Sequence, residues 1–163
     1  ALNCSFKEMT TDANVDIVSF GGTKNGLMLG ESVLFLNPEL AKDYKYRRKQ
    51  GLQLCSKMRF IAAQFDAYLK DELWRRNASH SNAMAKILYD KVKDIDGVTV
   101  MYPVKVKSAF VKLPRHIWTE LQKEYFFYDW DYDNDVVRWV CSFDTTEEDI
   151  DDFVKVLRRL MAK

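Results

Sequence analysis

Apolar residues recur along this chain in two rhythms. Residues 15–20 and 32–36 are short apolar runs bounded by glycine and polar turns, a pattern that predicts a buried strand and then a second apolar strand. Between about 52 and 76, Leu54, Met58, Ile61, Phe65 and Leu69 fall at three- and four-residue spacings, so one long amphipathic helix is predicted there. Ser5 and Glu8 have the Ser-x-x-Glu form of a capping box and predict a short helix over about 5–11. Pro38 suits a first helical turn, and a polar helix is predicted from there to about residue 49, where Gly51 interrupts it.

Beyond residue 78 the elements shorten. Ser79 is placed to cap a helix carrying Ala83, Ile87, Leu88 and Val92 and ending before Gly97. Residues 98–101, 109–113 and 136–141 read as strands, 115–123 as a helix, and the aspartate-rich stretch before Arg138 as an acidic turn. A last helix begins near Asp144 or Thr145. Its first turn holds Glu147, Glu148 and Asp149 and its end holds Arg158, Arg159 and Lys163, a polarity that suits the helix dipole and a true C-terminus. Residues 78–163 therefore read as a small α+β domain. Two strands and a helix cannot close a sheet core, so the first fifty residues read as the end of something larger. The chain opens on Ala1 rather than methionine, which fits a missing upstream part.

Composition narrows the function. A hydrophobic content of 47% over 163 residues supports a buried core. A formal net charge of +1 gives no electrostatic case for nucleic acid or an anionic membrane. The apolar runs are too short to span a bilayer. Cys4, Cys55 and Cys141 are odd in number and widely spaced, as expected of reduced thiols in the cytoplasm without a metal site.

Few residues point to chemistry. Lys24 lies in the glycine-rich run Ser19-Phe20-Gly21-Gly22-Thr23-Lys24-Asn25-Gly26, which on pattern alone is a hairpin loop. Its glycines would also let the backbone approach a bound group, and the Thr23 hydroxyl could meet a phosphate. Arg138, on the strand with Val136 and Val140, either faces solvent or forks onto a carboxylate. Arg59 reads as a solvated helix residue or an ion-pair partner. Asp129, Asp131, Asp133 and Asp135 alternate as in a calcium loop, but Asn134 and Val140 stand where that loop needs glycine and glutamate, so no metal site is read. His80 and His116 are isolated.

The order of these segments is more specific than any one of them. The run Asp16–Gly26 with Gly30-Glu31-Ser32-Val33-Leu34-Phe35 resembles the cofactor-lysine segment of the low-specificity L-threonine aldolases. The similarity continues through Arg47-Arg48-Lys49-Gln50-Gly51, Ser56-Lys57-Met58-Arg59-Phe60, His80-Ser81-Asn82-Ala83 and Arg138-Trp139-Val140-Cys141-Ser142-Phe143-Asp144. Ser108 departs from it, standing where the family often carries asparagine.

The resemblance implies an α/β chain: the C-terminal part of an aspartate-aminotransferase-like fold that binds pyridoxal 5'-phosphate. Residues 1–77 would be the end of the large-domain sheet plus a long linking helix, and 78–163 the small domain. It further implies that Lys24 is the Schiff-base lysine, that Arg138 holds the substrate carboxylate, and that Thr23 neighbours the cofactor phosphate. Arg59 would reach the phosphate of a neighbouring subunit, hence a homodimer or homotetramer. The implied reaction is aldol cleavage of a threonine-like amino acid. β-Elimination, transamination and a non-catalytic α+β module are the alternatives. The family's glycine loop, ring-stacking histidine and pyridine-pairing aspartate would lie upstream of Ala1, so this chain alone is expected to be inactive.

Overall fold

The computed structural model describes residues 1–162. They divide into two units: Leu2–Arg75, and the remainder from Arg76 together with Ala1.

The first unit starts with helix α1 (Phe6–Met9), closed by the reciprocal Ser5–Glu8 capping box. Strands β1 (Ile17–Gly21) and β2 (Glu31–Phe35) then form an antiparallel ribbon with Ser19 opposite Val33. β1 is not the buried strand that the sequence predicts. Ile17, Val33 and Leu34 are exposed, because a two-stranded ribbon here has no second layer over all of its apolar positions.

The polar helix predicted from Pro38 is also corrected. Pro38–Ala41 is a 3₁₀ turn capped by the Asn37 side chain, and helix α2 (Tyr44–Gln50) begins after a left-handed Asp43.

The single long helix resolves into two. Residues 52–57 are irregular, α3 spans Met58–Leu69, and α4 spans Leu73–Val92. Between them Asp71 and Glu72 take left-handed backbone angles, which an α-helix cannot contain. The apolar spacing runs on from Leu69 to Leu73, so the periodicity passes over the break. Ser79, expected as a cap, lies inside α4.

The side chains of α3 that lose exposure are Met58, Ile61, Gln64, Phe65 and Tyr68, one helical stripe. Phe65 meets Phe20 of β1 (6.3 Å between centroids), and Phe6 packs on Phe20 (6.0 Å) and Trp74 (4.6 Å).

In the second unit, β3 (Thr99–Val100), β4 (Ser108–Lys112), helix α5 (Arg115–Leu121), β5 (Tyr128–Asp131), β6 (Val136–Val140) and helix α6 (Glu147–Met161) follow α4. The antiparallel sheet has the order β3-β4-β6-β5. Alternation splits it, save for Val136, which is buried on the Arg138 side. Ala109, Val111, Val137 and Trp139 are buried and join one core with Leu88 and Val92 of α4, Leu121 of α5, and Val154 and Leu157 of α6. Phe110 and Arg138 carry the opposite face. β5 lies where the sequence predicts an acidic turn; its exposed aromatics show no apolar alternation, yet it pairs with β6.

Candidate functional site

The loop between β1 and β2 is held in one shape by bonds from several directions. Thr23, Lys24 and Asn25 form a 3₁₀ turn that ends on Gly26, whose φ of 114° is open to glycine and closed to most residues. Gly22 N–H donates to the Gly30 carbonyl (3.1 Å), and Asn25 and Leu27 N–H both donate to the Gly22 carbonyl. From α3, the Gln64 side-chain oxygen accepts from the Met28 and Leu29 N–H groups (3.1 and 3.2 Å). The Asn25 amide donates to the Tyr68 hydroxyl (2.5 Å) and to the Trp74 carbonyl (2.9 Å). Lys24 is exposed on this anchored turn.

Two expectations about the turn change. Gly22 and Gly30 do not open the backbone to a ligand. A Cβ on Gly22 would lie 2.2 Å from Leu27 Cδ1, and one on Gly30 2.8 Å from Phe65 Cε2, so the chain's own side chains fill that space. The Thr23 hydroxyl is engaged with Gly30, donating to its carbonyl (3.2 Å) and accepting from its N–H (3.0 Å). It closes the loop, with one lone pair left over.

Arg59 sits exposed in the first turn of α3, its guanidinium 5.2 Å from the Phe60 ring centre. The first unit thus carries Lys24 and Thr23 on one turn and Arg59 on the helix whose Gln64 and Tyr68 anchor that turn. Arg138 belongs to the second unit.

On β6, Arg138 is opposite Phe110 of β4 and Tyr128 of β5. Its guanidinium lies 5.5 Å from the Tyr128 ring centre and 5.3 Å from that of Trp130. Its Nε is buried without a hydrogen-bond partner, and no carboxylate among the described residues forms an ion pair with it. A buried donor left unpaired is costly, which marks this guanidinium as one suited to an anion from outside the chain. Two neighbouring aspartates are otherwise occupied. Asp135 accepts from Arg115 Nε (2.7 Å), and that guanidinium holds its carboxyl below the usual range; Asp131 accepts from the Asn134 backbone and side chain.

His80 bonds the Thr145 carbonyl (2.7 Å). Cys141 is buried, and desolvation pushes its thiol up to about 11. Among the described residues no group of three His, Cys, Asp or Glu side chains converges, and no helix is long and apolar enough to cross a membrane. Gln64, Tyr68 and Asn25 escape sequence reasoning because their partners lie 35 to 49 residues away.

Comparison with known proteins adds the following. The beta-eliminating lyase family matches residues 1–115. The chain is 40% identical over 161 residues to the low specificity L-threonine aldolase of Pseudomonas aeruginosa, covering 98% of this chain and 46% of that protein. It is 39% identical over 162 residues to the enzyme of the same name from a Pseudomonas species, covering 99% of this chain and 46% of that protein. The solved structure of Leishmania major threonine aldolase superposes with a TM-score of 0.81 at 29% identity, over 93% of this chain and 45% of that one. The chain therefore spans about half the length of the curated relatives it matches, and its mixed α/β fold is a partial copy of theirs.

Proposed function

This chain belongs to the beta-eliminating lyase family, and on that premise we propose that it is a portion of a pyridoxal-phosphate enzyme cleaving threonine-like β-hydroxy amino acids to glycine and an aldehyde. The observation that carries this reading is the Lys24 turn, an amine displayed on a loop anchored by Gln64, Tyr68 and the Trp74 carbonyl. Residues 1–77 are read as the end of the large domain with its linking segment and 78–163 as the small domain.

The donor set fits the cofactor. Lys24 offers a primary amine for its aldehyde carbon, and Arg59 a guanidinium for the phosphate held by a neighbouring subunit, which calls for a homodimer or homotetramer. Thr23 contributes by fixing the loop rather than by reaching outward with its donor, which is already spent on Gly30. When bound, pyridoxal phosphate supplies the electron sink for bond cleavage at the substrate Cα.

Arg138 holds the substrate carboxylate through its unpartnered N–H groups. Holding that group selects which bond at Cα is aligned for cleavage. When Cα–Cβ breaks and the β-hydroxyl loses its proton, the products are glycine and an aldehyde. The free thiols of Cys4, Cys55 and Cys141 suit a cytoplasmic enzyme.

Borohydride reduction of the intact cofactor-loaded protein followed by peptide mapping is expected to leave a pyridoxyl group on Lys24. Reduction products on another lysine, or a Lys24→Ala protein that stays yellow and cleaves threonine, would sink the assignment. Pyruvate and ammonia in place of glycine and aldehyde would move the reaction to β-elimination.

A further inference from the structure

Two arginines of the second unit are treated in opposite ways. Arg115 donates to the Asp135 carboxylate (2.7 Å) and to the Tyr132 carbonyl, and its guanidinium lies 3.9 Å from the Tyr132 ring centre. Its charge is neutralised within the chain. Beside the Arg138 guanidinium lie two aromatic rings, Tyr128 and Trp130, both on β5. Among the described residues no hydrogen bond or ion pair reaches it.

The strand is built to bring both rings to that guanidinium. β5 pairs Tyr128 with Arg138 and Asp129 with Val137, but Asp131 with Val136, so Trp130 is an extra residue in the ladder. Such a bulge bends the strand and re-aims the side chain it carries. Trp130 is in turn held edge-on by Phe110 (5.0 Å, 67°), the residue across from Arg138 on β4, and Phe110 by Tyr102 (5.8 Å, 79°). Tyr102, Tyr128 and Trp130 are more than half exposed. Large aromatics on an open sheet face gain little from burial there, and Tyr128 and Trp130 share the guanidinium as a neighbour.

We propose that Tyr128 and Trp130 are positioning residues that bracket Arg138 and keep it oriented and unpaired for the carboxylate of the amino-acid substrate. This rests on the reading of Arg138 as the carboxylate-binding residue. The physical advantage lies in how each partner stabilises a cation. A carboxylate from the chain would neutralise Arg138 and compete with the substrate. A ring face attracts the cation through its quadrupole and leaves every N–H free to donate.

The test uses the intact cofactor-loaded enzyme with Trp130→Leu, Trp130→Phe, Tyr128→Leu and Tyr128→Phe, reading KM and kcat for threonine and the calorimetric Kd for glycine. Each leucine variant is expected to weaken both KM and Kd roughly three- to fivefold, with kcat changed less. The phenylalanine variants, which keep a ring, should stay within about twofold of the parent. In an Arg138→Gln background, Trp130→Leu should add no further loss, because its effect passes through the guanidinium.

Equal losses with and without Arg138, or leucine variants that bind like the parent, overturn the bracket while leaving the carboxylate reading intact. Glycine binding unchanged by Arg138→Gln overturns both. Melting curves identify a variant lost to misfolding, in which case the phenylalanine and double variants decide.

Discussion

Replacing Gly30 with alanine should damage the Lys24 loop through one steric contact. Gly30 is buried, its N–H donates to Thr23 Oγ1, and its carbonyl accepts from Gly22 N–H and the Thr23 hydroxyl. An added Cβ would lie 2.8 Å from Phe65 Cε2, 3.3 Å from Leu27 Cδ1 and 3.4 Å from Ile61 Cγ2, where ordinary contact begins at 3.4 Å. The Phe65 ring must therefore give by roughly half an ångström, and it is already packed against Phe20. Overpacking of this kind costs about 1–3 kcal/mol. In urea, with a slope of about 1–3 kcal/mol per molar, the midpoint should fall by on the order of 1 M at unchanged slope.

Far-UV circular dichroism of the intact protein reads the midpoint. A Phe65→Leu background removes the clashing ring atom, so Gly30→Ala should cost clearly less there than in the parent. An equal cost in both backgrounds, or an unmoved midpoint, refutes the steric account. If Lys24 has the proposed role, cofactor absorbance should fall alongside stability.

Leu157→Ala empties a fully buried position of α6 and should cost about 2–5 kcal/mol in thermal unfolding; a loss below about 1 kcal/mol would mean that the core around it collapses freely. Thr146 caps α6, accepting from the Asp149 N–H (3.1 Å), and Thr146→Ala should cost about 1 kcal/mol by the same assay, with no change meaning that the cap is redundant. The Arg115 hydrogen bond holds the Asp135 carboxyl low, so its contribution is complete above the ordinary carboxylate range and is lost as pH falls through the depressed value. The stability difference between the parent and Asp135→Asn should accordingly shrink on acidification, and a difference that grows contradicts the assignment. Cys4 and Cys55 are exposed while Cys141 is buried with its thiol near 11, so iodoacetamide at pH 8 should label only the first two until denaturant is added, as read by mass spectrometry.

What the sequence determined by itself is whatever near neighbours carry. The Ser5–Glu8 box, the strand runs of β4 and β6 and the acidic start and basic end of α6 each depend on residues close in sequence, and those elements are found where the pattern predicts. The ordered segments from Asp16 to Asp144 also sufficed for the family, because motif order needs no coordinates. Tertiary structure alone decided three things. The long helix breaks at Asp71 and Glu72, since left-handed backbone angles leave no trace in apolar spacing. Gln64, Tyr68 and Asn25 anchor the lysine turn through bonds between residues dozens of positions apart. Arg138 lies beside the Tyr128 and Trp130 rings with no acidic partner among the described residues, a choice between solvent face and binding group that alternation leaves open, because it depends on which side chains of β4 and β5 arrive beside it.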